Sequence, residues 1–412
     1  MNNLYHQLKS ALSPSTLQLL RNIGQTADKR GERVSLVGGV VRDMLLKRKN
    51  LDLDLVVEGR AISLARQLAK ENNFGLKTHP RFGTATIQAE NLSLDMVTAR
   101  SETYERPGAL PAVKAGSIED DLARRDFTIN AMAICLSPDS FGKLLDPHGG
   151  RRDLSRKLIR ILHPQSFKDD PTRILRAIRY EQRLNFHLEA ETAKLLQRDL
   201  RGINTVTVER LWHELELILK EEQPEKIILR AENLGVLPHL HPSLKGDNWL
   251  AKKFARARDS DTQSLILPSV YLAIIACRLG PEEAEDFAAR LKMPAWAARA
   301  VRNASRLKGN LASLQTPELL PSQIYHKLKR QLPEAVKGVA IASDSPVVKQ
   351  RLELYLDELR YVKCQLSGNN LQEMGVPPGK KMGRILRTLK DARLDKEIKN
   401  MEEEKELVYK LI

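Results

Sequence analysis

The stretch Leu36-Val37-Gly38-Gly39-Val40-Val41-Arg42-Asp43, followed after a short gap by Leu51-Asp52-Leu53-Asp54-Leu55-Val56-Val57, decides the reading of the fold. In the second piece leucines alternate with aspartates. A strand there puts Asp52 and Asp54 on one face, about 7 Å apart, and the leucines on the other. In the first piece an apolar run meets a diglycine and then a helix-like segment, which predicts strand, turn, helix. Gly38-Gly39 lets the backbone approach phosphate oxygens and aims N–H groups at them; a plain tight turn satisfies the same pattern. Arg42, about one turn into that helix, is placed to reach a triphosphate or to be an ordinary surface charge.

Working outward, Leu92-Ser93-Leu94-Asp95-Met96-Val97 repeats the alternation and offers Asp95 as a third carboxylate on a neighbouring strand. Paired carboxylates share hard cations, and Mg²⁺ favours a few of them together with substrate phosphate oxygens. Three such acids suit two-metal phosphoryl transfer. A lone Asp-x-Asp is equally an exposed strand face, and the adjacent diglycine weighs against that reading. Arg124-Arg125-Asp126-Phe127-Thr128-Ile129-Asn130-Ala131-Met132 sets two arginines and an acid before an expected strand at Ile129–Leu136. These groups can grip phosphate and ribose, or form only an ion pair that caps the strand.

The third cluster is Phe167-Lys168-Asp169-Asp170-Pro171-Thr172-Arg173-Ile174-Leu175-Arg176-Ala177-Ile178-Arg179-Tyr180. Asp170 followed by Pro171 predicts a helix start. Arg173, Arg176 and Arg179 then step by three along that helix, a stripe that winds about 60° per step. Asp170 and Arg173, one turn apart, present an acceptor and a planar donor fork, a pair able to read the edge of a nucleobase.

The whole chain has 412 residues and a formal net charge of +15, with 67 Lys and Arg against 52 Asp and Glu. That length predicts more than one domain. Charged residues at 29% and hydrophobic residues at 42% exclude an intrinsically disordered chain. No run approaches the roughly 20 apolar residues of a membrane span, and the first residues lack the apolar stretch of a signal peptide. Cys135, Cys277 and Cys364 form no CxxC, which argues against a disulfide framework and a cysteine zinc site. The expectation is a cytoplasmic protein with a polyanionic partner, nucleic acid first.

Strand-like and helix-like patterns alternate up to the turn cluster at Asp146–Gly150, and nearly everything after about residue 165 reads as helix, broken at prolines. An α/β head and an α-helical remainder follow. Two basic clusters lie in the remainder. Arg290 to Lys308 holds six bases and no acid, and Lys380 to Lys399 holds eight bases against three acids. Each is a solvated helix face or part of an RNA-binding surface, the latter naming Arg299, Arg302, Arg306, Lys380, Lys381 and Arg384.

Taken in order, the three clusters closely resemble the class II tRNA nucleotidyltransferases, which comprise the CCA-adding enzymes and their bacterial poly(A) polymerase relatives. The matching motifs are GGxVRD…DxD at Gly38–Asp54, RRDFTINA at Arg124–Ala131, and the template motif at Asp169–Arg173 with LRAxR at Leu175–Arg179. Asp169 departs from the family's usual Glu. The resemblance implies an α+β architecture: a nucleotidyltransferase head with a small mixed or antiparallel sheet (1–150), then all-α neck (151–235), body (236–315) and tail (316–412). It implies that Asp52 and Asp54 hold Mg²⁺ with Asp95 as third carboxylate, and that Gly38, Gly39 and Arg42 contact the triphosphate. Arg125, Asp126 and Asn130 then serve ribose and phosphates, while Asp170 and Arg173, supported by Arg176 and Arg179, select the incoming base. The implied substrates are CTP, ATP and the 3′ end of tRNA, extended by CCA, CC or the terminal A.

Pro80–Thr86 lacks the Arg-rich element expected of a poly(A) polymerase. The stretch Val97 to Ala123 is close to the full length expected of enzymes that add A. His239 and His241 read as a turn without acids at metal-ligand spacing. Gly375–Lys380 lacks the Ser or Thr of a P-loop and reads as a helix start. Trp212, Trp249 and Trp296 read as core.

Overall fold

The N-terminal helices α1 (Tyr5–Ala11) and α2 (Pro14–Asp28) lead into β1 (Arg33–Val37), whose residues 34–37 are all buried, as the run Val-Ser-Leu-Val requires. Helix α3 (Gly39–Leu45) follows at once, and β2 (Leu53–Glu58) buries Leu53, Leu55 and Val57 on one face while Asp54 lies on the other. The computed structural model describes all residues except 1–2, 49–51, 81–82, 90–91, 107, 110 and 261–265, so Leu51, Arg81, Phe82 and Pro107 lie outside the described residues. Two compact units result, Met1–Arg210 and Leu211–Ile412.

In the first unit, α4 (Ala61–Asn72) places Ala61, Leu64, Ala65, Leu68 and Ala69 on its buried side, the helical spacing visible in the sequence. It leads to β3 (Gly75–His79), β4 (Thr84–Ala89) and β5 (Leu92–Thr98). A hairpin of β6 (Arg100–Thr103) and β7 (Ala112–Ala115) precedes α5 (Ile118–Ala123), and β8 (Ala133–Cys135) and β9 (Leu144–Leu145) complete the strands of the main sheet. That sheet is mixed, in the order β3-β4-β5-β2-β1-β8-β9, with β2 and β5 parallel and the other neighbours antiparallel. Val37, Val56 and Ala133 pack with Ile118 and Leu122 of α5, so α5 seals the sheet face on which Asp54 lies.

Six strands carry no expectation from the sequence; three of them, at Leu144–Leu145, Leu158–Ile159 and His187–Leu188, are only two residues long. β3 and β7 are largely exposed and β6 is half-buried, so they carry no apolar alternation to read. The strand expected at Ile129–Leu136 shrinks to β8. Thr128–Asn130 is instead a 3-10 turn, held by Asn130 N–H to Phe127 O at 2.9 Å and Ala131 N–H to Thr128 O at 3.0 Å. A short, mostly apolar run such as Ile129–Leu136 does not distinguish the two conformations. The unit also continues past residue 150, through α6 (Gly150–Ser155), β10 (Leu158–Ile159), α7 (Ser166–Asp169), α8 (Thr172–Leu184) and β11 (His187–Leu188), with β10 and β11 paired in parallel.

The second unit is all helical among its described residues. Several of its prolines start helices, as at Pro224–Asn233, Pro281–Arg290, Pro321–Leu328, Pro333–Ala342 and Pro346–Asp357, and others lie in the turns between them. The almost entirely buried helix Leu267–Ala276 packs against Ala295–Gly309 and Pro333–Ala342. Gly338 permits that closeness, because a Cβ there would stand 2.5 Å from the Ala273 methyl. Near the C-terminus Leu366, Leu371, Val376, Ile385, Leu389 and Val408 form a separate small core. The expected helix start after Gly379 is present, as Lys380–Leu394.

Candidate active site

The register of β2 and β5 sets Asp54 beside Asp95. Thr86 on β4 lies opposite Asp95 and its hydroxyl donates to Asp95 Oδ1 at 2.6 Å. Asp52, exposed, immediately precedes β2. The Asp54 carboxyl is pushed above the usual aspartate range by burial and by the charges of Asp95 and Asp52, against the pull of the Arg125 guanidinium. Carboxylates that repel one another in this way, all oxygen donors, fit a hard divalent cation. Among the described residues no three His, Cys, Asp or Glu side chains make a ready-built cage, so an ion held here draws part of its coordination from elsewhere, as Mg²⁺ does from substrate phosphates.

Gly38 caps α3 with φ +74°, and a Cβ there would lie 2.7 Å from Arg125 Nη1. The glycine is thus required by the turn, and the Arg125 guanidinium lies close against it. Arg125 is aimed by Asp121, which is fully buried: its Oδ2 accepts Arg125 Nη2 at 2.9 Å and its Oδ1 accepts Arg124 Nη2 at 2.6 Å. Asp121 was not singled out in the sequence, where it is one of three consecutive acids in the first turn of α5 and looks like helix-terminus charge.

Arg42 departs from its expected place. It is 3% exposed, and its fork is spent on Asp43 (2.8 and 2.9 Å) and on Asn130 Oδ1 (2.6 Å). Asn130 in turn donates to Asp126 Oδ1 at 2.9 Å, and Asp126 Oδ2 receives Arg176 Nε and Nη2 at 2.9 and 2.6 Å. Burial pushes the Asp126 carboxyl up, but Arg176, Asn130 and Arg173 together bring it below the usual range. Tyr180 collects the other ends of this network, with the guanidinium carbons of Arg42, Arg176 and Arg179 at 5.2, 5.7 and 5.1 Å from its ring centre.

At the start of α8, Asp170 Oδ1 accepts the Thr172 N–H at 3.1 Å, the cap anticipated from Asp-Pro. Asp170 and Arg173 share the cleft but do not bond through their side chains. Asp170 is held by Arg210 Nη2, 2.7 Å from each oxygen, and Arg173 donates to Ser166 Oγ at 2.6 Å and Arg124 O at 2.7 Å. Arg210 carried no signal in the sequence. Opposite them Tyr104 donates to Glu102 Oε2 at 3.0 Å, and burial together with the Glu102 charge pushes the phenol up.

These groups line one cleft of about 390 Å³ that gathers Gly38, Gly39, Asp54, Arg124, Arg125, Asp126, Asn130, Asp170, Arg173, Arg176 and Tyr180, together with Glu102 and Tyr104. Asp52, Asp95, Arg42 and Arg179 are not among the lining residues; Arg179 is 5% exposed. A larger cavity of about 800 Å³, bordered by Tyr5, Arg21 and Phe141, has no acid in its lining and so lacks the groups for metal-assisted chemistry.

In the second unit Arg299, Arg306, Lys380, Lys381 and Arg384 are exposed. Arg302, expected among them, is bound by Glu285 through two contacts of 2.6 Å. His241 does meet an acid, Asp286 Oδ2 at 3.0 Å, brought near by folding rather than by sequence spacing. Trp212 is core, edge-on to Trp296 at 5.8 Å, whereas Trp249 is half-exposed beneath the Arg278 guanidinium at 4.2 Å. Among the described residues no helix is long and apolar enough to cross a membrane.

Residues 34–160 match the family described as poly A polymerase head domain, and residues 185–247 match that described as a probable RNA and SrmB binding site of polymerase A. An A-adding tRNA nucleotidyltransferase of Halalkalibacterium halodurans is 36% identical over 92% of this chain and 88% of its own. A CCA-adding enzyme in an apo form superposes with a TM-score of 0.83 at 31% identity, over 100% of this chain and 99% of its own. The Thermotoga maritima CCA-adding enzyme complexed with tRNA does so at 0.77 and 31%, with the same coverage. With Asp54, the diglycine turn and the acid–arginine helix start assembled in one cleft, and with 36% identity to an A-adding tRNA nucleotidyltransferase along most of both chains, the chain belongs to the class II tRNA nucleotidyltransferases.

Proposed function

We propose that the protein adds CCA, or its terminal A, to the 3′ end of tRNA from CTP and ATP, with release of pyrophosphate. The observation that carries this reading is the convergence of Asp54, Arg125, Asp170 and Arg173 on one cleft. It joins a metal-type carboxylate, a phosphate-type guanidinium and a base-reading pair within the reach of one nucleotide.

In this reading Asp52 and Asp54, with Asp95, hold divalent cations, Mg²⁺ by preference for oxygen ligands and phosphate. Bound there, the ions supply activation of the attacking hydroxyl and neutralisation of charge on the transferred group. The chain's own residues position the reactants. Gly38 and Gly39 let the triphosphate approach the backbone at α3, and Arg125, aimed by Asp121, meets its charge. Asp126 and Asn130 serve the ribose side, Asp126 being fixed by Arg176. Arg42 and Arg179 act behind this layer, through Asn130 and Tyr180. Catalysis by positioning requires no nucleophilic side chain.

We further divide the chain into head (1–150), neck (151–235), body (236–315) and tail (316–412), the helical part serving the tRNA, and assign the protein to the cytoplasm. Three free cysteines agree with a reducing compartment. Addition of A alone is a second reading, favoured by 36% identity to an A-adding relative against 28% to a CCA-adding enzyme, each over 92% of this chain. The deciding experiment offers tRNAs ending before CCA, after the first C, and after CC, with CTP, ATP or both. Extension of the first to full CCA establishes a complete enzyme. Extension of the third alone, by ATP, establishes an A-adding one, and no extension of any rejects the assignment.

A further inference from the structure

Asp170 is held in an unequal way. Its Oδ1 accepts the Thr172 N–H at 3.1 Å, the Thr172 hydroxyl at 2.7 Å and Arg210 Nη2 at 2.7 Å, whereas among the described residues Oδ2 accepts only Arg210 Nη2, also at 2.7 Å. A carboxylate oxygen offers about two lone-pair sites, so Oδ1 is saturated and Oδ2 keeps one open. Arg210 has no other carboxylate among the described residues, and its Nη1 is buried without a partner. An unmade buried hydrogen bond is unfavourable. Saturation of its own donors therefore does not explain where the guanidinium sits, but attraction to Asp170 does. Arg173 is fixed separately, by Ser166 and by the carbonyl of Arg124.

The geometry points to Arg210 as the positioning residue that fixes the plane of the Asp170 carboxylate with one acceptor site open, and so selects nucleobases bearing an exocyclic amino group over those bearing a keto oxygen. The inference rests on the reading of Asp170 and Arg173 as the base-reading pair. Cytosine and adenine present an N–H donor at that edge, whereas uracil and guanine present a carbonyl oxygen. A carboxylate has no proton to give, so a keto group meets acceptor with acceptor. An unclamped side chain turns away from that clash; one held by Arg210 and Thr172 cannot. Thr172 alone fixes Oδ1 and leaves Oδ2 free to swing about it.

The test is single-nucleotide addition by the full chain on whichever tRNA end the wild type extends, with ATP against GTP and CTP against UTP. The variants are R210M, R210K and D170A. One hydrogen bond to a charged group corresponds to about tenfold. R210M is expected to lose about that factor in the ratio of kcat/KM between amino-bearing and keto-bearing nucleotides, through a raised KM for the former and a lowered KM for the latter, with tRNA affinity unchanged. R210K restores the charge but not the planar fork, so its ratio falls between wild type and R210M; it carries the same test if R210M does not fold. An unchanged ratio, or an equal fall for all four nucleotides, overturns the proposal. If D170A itself leaves the ratio intact, the base-reading assignment fails. If D170A collapses the ratio while both Arg210 variants keep it, only the role of Arg210 fails.

Discussion

Arg176 closes on Asp126 with two donors, Nε at 2.9 Å and Nη2 at 2.6 Å from Oδ2, and so ties α8, which begins beside Asp170 and carries Arg173, to the segment that carries Arg125. The groups proposed to read a base and to hold phosphates are thereby linked through Asp126.

Removing Arg176 leaves Asp126 buried with only Asn130 and the Phe127 N–H as partners. R176M is expected to destabilise the first unit by about 1–2 kcal/mol, because the buried Asp126 loses a charged donor that is itself about a third exposed. Because the Asp126 carboxyl lies below its ordinary value, its stabilisation is present above the usual aspartate range and is lost as pH falls through the depressed folded value. Urea unfolding of wild type and D126N at several pH values checks this: the gap between them narrows towards acid pH. A gap that widens there contradicts the network.

Asp54 has the opposite sign. Its carboxyl is raised by burial and by Asp95 and Asp52, so without divalent cation the folded state binds its proton more tightly than the unfolded state does. Stability is then highest below the usual aspartate range and declines as pH rises through the raised folded value. D54N is expected to abolish nucleotide addition yet melt no lower than wild type at neutral pH in chelator. D52N likewise abolishes addition and leaves tRNA binding intact. Scanning calorimetry alongside the addition assay separates these outcomes, and full activity in either variant would sink the metal assignment.

Gly38 has φ +74° and faces Arg125 Nη1 across 2.7 Å from the position of a would-be Cβ. G38A therefore strains the turn by about 1–3 kcal/mol, because φ +74° with ψ −130° is essentially a glycine conformation, and it displaces the guanidinium. Addition is expected to fall at least about tenfold in kcat/KM, with the melting temperature lowered by only a few degrees. Retention of full activity contradicts the close approach.

The parts of this site that were legible in the sequence share one property: their chemistry rides on a periodic or capped local pattern. Asp54 alternates with buried leucines, Gly38-Gly39 punctuates a strand and a helix, and Asp170-Pro171 opens α8. Arg42 was legible as a site residue but not in its role, because whether a guanidinium faces ligand or protein depends on Asn130, 88 positions away. Asp121 and Arg210 were missed for the same reason, since each looks like ordinary helix charge until folding brings Arg125 or Asp170 to it. The strands β3 and β7 escaped notice because exposed edges carry no burial pattern.

The surplus positive charge makes a last prediction, because the exposed bases of the second unit are not equivalent. Arg302 is matched by Glu285 at 2.6 Å through both Nε and Nη2, whereas Arg299 and Arg306 on the same helix are exposed and have no ion pair among the described residues. A matched arginine has little charge left for a phosphate; an unmatched one releases a counterion when it binds. R299A and R306A are each expected to lower the slope of log affinity for tRNA against log salt by about one, and K380A and R384A to do the same. R302A should leave the slope within about 0.3 of wild type by the same counting. Fluorescence anisotropy of labelled tRNA across a salt series measures all five. A slope lowered by R302A as much as by R299A places the RNA over Glu285 as well, and unchanged slopes throughout remove this helix and the Lys380–Leu394 helix from the RNA-binding surface.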